Sequence, residues 1–476
     1  MTSELDRDLA AMAAAAKAAI AYRGQVATAA RTPVATYEDS LAAFAEPTPE
    51  AGQDPEQVIA DLAARAAPGI RAMTAPRFFG WVIGSSDPTG VAADWLAAAW
   101  GQNAGNLVAA PAAAAVETVA AGWLLDLLGL PPTASVGFVT GATIANFVGL
   151  AAARGEVLRR AGWDVEADGL FGAPPISVLI GADAHATVYS GLRYLGLGAR
   201  RVTTIETDDA GRMRPAALER ALGKVAGPAV VIAQAGQINT GASDPFAMIA
   251  PMAREAGAWL HVDGAFGLWA RAAPSRAHLV AGIDQADSWA TDGHKWLQTP
   301  YDCGYAIVKD AAAHRRAMGI TASYLPSAAE DQREPSALVP ELSRRARGFA
   351  TWAMIRKLGR SGIAGMVERC CAIAARMAER LAKADGVTLV CPPELNQFMI
   401  RLGQGSEEER DRLTLETAAR IQEDAVAYLG SALWRGRWVL RVSVTSAATT
   451  EEDADMAVEA VLRAWRGVRS EALAAG

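Results

Sequence analysis

Four short stretches carry residue types that do chemistry, and each falls where an apolar run gives way to a turn or a helix. In "ATDGHKWLQTP", residues 290–300, His294 directly precedes Lys295, and Trp296 and Leu297 follow. A lysine among apolar neighbours is penalised for its charge, and one pushed toward neutrality attacks carbonyl carbons. The ordinary alternative is a lysine whose stem runs along an apolar turn to reach water. In "WLHVDGAFG", Asp263 ends an apolar run. A buried carboxylate there needs a cation or strong donors, although an acid capping a turn has the same pattern. Gly264 and Ala265 are small enough to let a flat ligand come close. In "GADAHATVYS", His185 sits between a strand and a helix; taken alone it reads as a surface or satisfied core histidine. "TGATIAN", residues 140–146, opens a helix after a strand. Free N–H groups and the helix dipole make such a place an anion site, and Thr143 adds a hydroxyl. A plain capping turn is the alternative.

The four are more informative together. Pyridoxal 5'-phosphate needs an anion site for its phosphate, a flat partner for its ring, a carboxylate for its pyridine nitrogen and a lysine for its aldehyde. The order along the chain supplies all four.

The elements around them fit that use. From about residue 80 to 310, short apolar runs alternate with amphipathic helices. The runs are "VGFVT", "ISVLIGAD", "RVTTIE", "PAVVIAQA", "AWLHVD", "SWATD" and "CGYAIVKD". This pattern predicts an α/β architecture, a mostly parallel seven-stranded sheet covered on both faces. Ligands gather at the carboxyl ends of such strands. Residues 1–78 read as a helical arm, 79–350 as the large domain and 351–476 as a small C-terminal α+β domain with a helix near 407–430. A polar, proline- and serine-rich stretch at about 322–342 reads as a mobile loop.

Composition narrows the class. At 476 residues, 51% hydrophobic and 20% charged, the chain is globular and long enough for two domains. A formal charge of −7 argues against a nucleic-acid partner. The longest apolar stretch is interrupted by Pro111, Glu117 and Asp126, so no membrane span is expected. The four cysteines form no CxxC pair, and the N-terminus lacks the basic-then-apolar order of a signal peptide. A cytoplasmic protein without a metal site is expected. No GxGxxG follows the first strand, which disfavours a dinucleotide binder.

From about residue 75 to 450 the chain resembles the group II pyridoxal-phosphate-dependent amino acid decarboxylases, the glutamate/aromatic-L-amino-acid/histidine decarboxylase family. "HVDGAFG" followed by "DSWATDGHKWL" carries most of the resemblance. "ADAHATV", "TGATIAN", "PYDCG", "ELSRRARGFATW" and "LRVSVTSAATTEED" add to it. The resemblance implies a fold-type-I, aspartate-aminotransferase-like homodimer with sites at the subunit interface, and an N-terminal arm that wraps the partner. It implies that Lys295 binds the cofactor covalently and that Asp263 pairs with the pyridine nitrogen. His185 would stack on the ring face opposite Ala265, and Ala142, Thr143 and His294 would meet the phosphate. The implied reaction is decarboxylation of an L-amino acid to the amine, with His185 orienting the carboxylate or moving a proton.

Several departures bear on that expectation. Ala142 and Ile144 stand where the family usually has Gly and Glu, which leaves the backbone donors intact. Gln234 and Gln237 replace threonines near the ring and substrate, and Ala75 stands where a His-Pro pair is common. In the family the segment matching "RFFGWVIGSSDP" lines the substrate pocket. Phe79 and Trp81, with Gln234, then suit an aromatic or apolar side chain, or else Phe79 and Trp81 are interface core. Arg77 is the one basic residue there. Aromatic decarboxylases of the family carry a loop tyrosine that returns a proton to the substrate, yet none lies between Pro326 and Arg345, and Tyr324 precedes that stretch. Family members without it release an aldehyde after reaction with oxygen, so oxidative deamination, or another C–C lyase reaction, is the alternative outcome.

Overall fold

The computed structural model describes residues 3–29, 32–320 and 333–475. The seven expected strands form one sheet: β1 (Ser135–Val139), β2 (Ser177–Gly181), β3 (Thr203–Ile205), β4 (Ala229–Gln234), β5 (Trp259–Asp263), β6 (Ser288–Asp292) and β7 (Gly304–Val308). Their order is β1-β7-β6-β5-β4-β2-β3. The ladders among β3, β2, β4, β5 and β6 are parallel, and β7 runs antiparallel to both β6 and β1.

Side chains alternate between two faces, as strand geometry requires. On β4, Val231 and Ala233 join one apolar cluster while Val230 and Ile232 join the other. The second face is covered by the helices Ala142–Arg160 and Ala186–Tyr194, through residues such as Val148 and Val188. The first is covered by the helices Pro111–Leu127 and Phe246–Glu255. Burial on both faces explains why these strands read as near-continuous apolar runs.

The C-terminal region adds an antiparallel sheet of β8 (Val387–Leu389), β9 (Gln397–Leu402), β10 (Gly430–Trp434) and β11 (Arg437–Ser443), in the order β10-β11-β9-β8. The helix expected near 407–430 stops at Asp424, where Ala425 turns left-handed with φ 51°. The chain then runs into β10, whose first residue, Gly430, falls at the end of the expected helix. Its hairpin turn, Arg435–Gly436, has positive φ at both positions (50° and 79°), the geometry that matches strand twist. The helical span Gly348–Ala382 is broken at Gly359, φ 60°, into two helices that abut there. One apolar cluster runs from Leu260 through Met366 and Cys370 to Ile400 and Val442, so the two sheets share a core.

The N-terminal helices Glu4–Gln25 and Pro55–Ala66 contain no buried residue. Residues 321–332, with Tyr324, lie outside the described residues. From Arg333 onward the expected mobile loop is packed. Arg333 and Arg344 both reach the fully buried Glu117, and His314 Nε2 donates to the Leu338 carbonyl at 2.9 Å. Leu338 and Val339 are buried.

Candidate active site

The chemistry-bearing residues come together at the carboxyl edge of the large sheet. A cavity of about 370 Å³ is lined there by Ala142, Thr143, His185, Gln234, Asp263, Ala265, His294 and Lys295, with Asp292 and Tyr301. Each is delivered by a strand end. Thr140 follows β1, His185 follows β2 by four residues, and Gln234, Asp263 and Asp292 close β4, β5 and β6. Gln234 and Asp263 are register partners. β7 returns beside this edge at Gly304, where a Cβ would fall 2.5 Å from the Gly141 Cα, so only glycine fits.

Asp263 is almost fully buried, and burial pushes its carboxyl above the usual range, against the charge of Lys295. Oδ1 accepts the Ala265 N–H at 3.2 Å. Oδ2 has no hydrogen bond among the described residues, so the group is suited to a cationic N–H ligand. His185 caps its helix. Its Nδ1 accepts the Thr187 N–H (3.4 Å) and lies 2.8 Å from the Thr187 hydroxyl, which leaves the ring proton on Nε2. Burial first, then the positive charges of Lys295 and Arg441, lower its pKa, while Asp263 opposes. The ring is neutral near pH 7. His294 is held the same way. Its Nδ1 accepts the Cys303 N–H at 3.2 Å, and the Tyr301 ring lies tilted over it with centroids 4.3 Å apart. Burial lowers its pKa too. Lys295 Nζ is 2.9 Å from Asp292 Oδ2 and 5.8 Å from the Phe266 ring centroid.

The lysine turn is fastened from three sides by Gln298, a fully buried residue with φ 58°. Its Nε2 donates to the carbonyls of Lys295 (2.8 Å) and Thr445 (2.9 Å), and its Oε1 accepts the Ser85 N–H (2.9 Å) and hydroxyl (2.7 Å). The chain before Pro88 lies against the same turn: Gly84 N–H reaches the His294 carbonyl at 2.9 Å.

Two expected pocket residues lie outside this chain's cavity. Phe79 is fully buried in the core, because its backbone pairs with Tyr428 and Ser443. Trp81, at φ 50°, is half-exposed beside Phe78 and Tyr428. Neither lines the cavity of this chain; Ile83 from the same segment does. One charged residue was not singled out by sequence. Arg441, on β11, is buried, and among the described residues its partners are neutral, the Ile238 carbonyl (3.1 Å) and Asn239 Oδ1 (3.4 Å); burial pushes it down to about 10. Its only sequence signal is a charge inside the apolar run "WVLRVSVTS".

A buried acid with a free oxygen, neutral histidines with fixed ring protons, a helix start that no side chain of its own first turn caps and a lysine at one sheet edge fit pyridoxal phosphate. Together with the mostly parallel seven-stranded sheet they define a fold-type-I pyridoxal-phosphate enzyme. The pyridoxal-dependent decarboxylase conserved domain matches residues 38–402, and the chain belongs to that family as a pyridoxal-phosphate-dependent carboxy-lyase. It is similar to tryptophan decarboxylase 1 of Oryza sativa subsp. japonica, 29% identical over 84% of this chain and 82% of that protein. It is 27% identical to an aromatic-L-amino-acid decarboxylase of Bacillus atrophaeus, over 86% and 85%, and 27% to a 4-hydroxyphenylacetaldehyde synthase of Rhodiola rosea, over 85% and 84%. In fold it resembles the crystal structure of Oryza sativa TDC with PLP and tryptamine, TM-score 0.90 at 23% identity, over 98% of this chain and 99% of that one.

Proposed function

We propose that this enzyme decarboxylates an L-amino acid with an aromatic or apolar side chain to the amine and carbon dioxide. The observation that carries the preference is the cavity wall, where Ile83, Ile238 and Phe266 supply apolar surface and Lys295 is the cation among the described lining residues. Relatives named for tryptophan and other aromatic amino acids support it. Lys295 would carry the cofactor through its aldehyde. Asp263 would keep the ring nitrogen protonated, His185 and Ala265 would lie on opposite ring faces, and Ala142, Thr143 and His294 would hold the phosphate. When bound, the cofactor supplies the electron sink for the pair left by the departing carboxylate. His185, neutral with its proton on Nε2, then orients the substrate carboxylate or delivers a proton to the α carbon. Gln234 contacts substrate beside Asp263. Arg441 adds positive potential that draws the carboxylate in.

The deciding experiment is a product screen of the purified enzyme against the common amino acids, in air and without oxygen. Amine and carbon dioxide from aromatic substrates are the expected products. A Lys295→Ala protein should lose the near-visible absorbance of covalently bound cofactor; an unchanged band would overturn the assignment.

A second reading has its own support in relatives named phenylacetaldehyde synthase and 4-hydroxyphenylacetaldehyde synthase, and in the absence of tyrosine between Pro326 and Arg345. There the amino acid, oxygen and water give an aldehyde, carbon dioxide, ammonia and hydrogen peroxide. Peroxide in step with product in air selects this reading.

The proposal includes a homodimer, supported by the arm helices Glu4–Gln25 and Pro55–Ala66, which bury no residue within one chain. It also includes a cytoplasmic location, supported by the unpaired thiols of Cys303, Cys370, Cys371 and Cys391. Among the described residues no helix is long and apolar enough to cross a membrane.

A further inference from the structure

Asp292 has no part in the chemistry above, yet it stands where the phosphate anchors converge. It closes β6, three residues before Lys295, and only 2% of it is exposed. Its Oδ1 accepts the N–H of Ala142, the first residue of the helix Ala142–Arg160, at 2.6 Å. The same oxygen lies 3.5 Å from His294 Nε2, the nitrogen that carries the ring proton. Gly141 is pressed against both groups: a Cβ there would sit 3.0 Å from His294 Cε1 and 3.2 Å from Asp292 Oδ1. No side chain of the helix's own first turn caps it, so Asp292 caps it from another element.

This carboxylate therefore draws on the donors that a phosphate at the helix start would use, the Ala142 N–H and the His294 Nε2–H. It also takes up the charge of Lys295 through Oδ2. The balance of formal charge around the cavity is unusual for a phosphate site. Among the described lining residues Lys295 is the cation, Asp263 and Asp292 are the carboxylates, and no arginine is present. A phosphate here would be held by backbone and ring N–H dipoles and would face a fixed negative charge a few ångströms away. Like charges repel strongly in a site this poorly screened.

We propose that Asp292 is a positioning residue that caps the helix, holds Lys295 in place and loosens the grip on the cofactor's phosphate, so that it sets how readily the cofactor exchanges. This rests on the reading of Lys295 and the helix start as the two cofactor anchors. Asp292→Asn keeps an oxygen for the Ala142 N–H and removes only the charge.

The test compares wild-type and Asp292→Asn proteins, each freed of cofactor and titrated with pyridoxal 5'-phosphate and, separately, with pyridoxal, which lacks the phosphate. Absorbance of the Lys295-bound form reports binding without reference to turnover. The expected result is a Kd for pyridoxal 5'-phosphate roughly tenfold lower in the variant, with a much smaller change for pyridoxal. The ratio of the two Kd values within one protein is the readout, so a general loss of stability that weakens both ligands leaves the test intact. A pyridoxal 5'-phosphate to pyridoxal Kd ratio that is unchanged or raised in the variant overturns the proposal. So does an equal gain for both ligands, which would locate the effect at Lys295 alone. A wild-type protein that forms no Lys295-dependent band overturns the underlying reading, and this proposal with it.

Discussion

Burial pushes the Asp263 carboxyl up, and the charge of Lys295 pulls it back. A cationic ring nitrogen against Oδ2 would complete that compensation and keep the nitrogen protonated through the neutral range. Asp263→Ala should leave the fold intact and cut turnover by several orders of magnitude, measured as carbon dioxide release, because the electron sink depends on that proton. Near-normal turnover would contradict the role. Arg441 offers the opposite sign at the same scale. It is a buried guanidinium whose partners among the described residues are neutral oxygens, so under the proposed function its charge would be available to a substrate carboxylate. Arg441→Met should raise KM by about tenfold or more with a smaller change in kcat. A kcat loss at constant KM would assign it to the chemical step.

At the scale of elements, the segment after residue 332 is held by charge. Glu117, fully buried on the helix Pro111–Leu127, receives Arg344 at 2.6 and 2.9 Å and Arg333 at 3.1 Å. Glu117→Gln would leave two buried guanidiniums without their counter-charge. The expected cost is about 3–5 kcal/mol, read as a lower midpoint in urea unfolding. A change under about 0.5 kcal/mol, the size of an ordinary surface substitution, would show that water compensates both arginines. Gln298 works in the same way on the lysine turn. Its amide ties Lys295 to the segment before Pro88 and to Thr445. Gln298→Ala should weaken cofactor retention in dialysis more than it lowers the melting temperature.

Across the whole molecule, two histidines tie stability to pH. His314 bridges Ser135 and the Leu338 carbonyl, and His261 bridges Ser288 and Asn146; burial lowers each from 6.5 to about 3. A depressed folded pKa means that the unfolded chain binds the extra proton between about pH 3 and 6.5. The stability from each neutral ring is therefore present above pH 6.5 and lost as the pH falls below it. His314→Gln should flatten the stability profile across that window by about 1.4 kcal/mol per pH unit, measured by urea unfolding at several pH values. Parallel profiles would exclude the coupling. The exposed arm helices make a prediction at this scale too: sedimentation should show a dimer, and removal of residues 1–66 should yield monomers with reduced cofactor affinity.

The sequence alone determined the strands of the large sheet and the identity of the site's ends. Apolar β-branched runs buried on both faces, and small or polar residues at their carboxyl ends, are local signals. Lys295, Asp263, His185 and Thr143 were legible from them, because each sits within a few residues of a strand end. The tertiary structure decided what depends on distant chain. Phe79 became core because Tyr428 and Ser443 pair with its backbone, and Ile83 took the cavity wall. β10 appeared because the preceding helix stops at a left-handed Ala425, a position that periodicity does not mark. Arg441 and Asp292 acquired their meaning from groups hundreds or scores of residues away, Ile238 for one and Ala142 for the other. A carboxylate or a guanidinium in a sequence is only a charge; its partners, its burial and therefore its pKa exist only once the chain has folded around it.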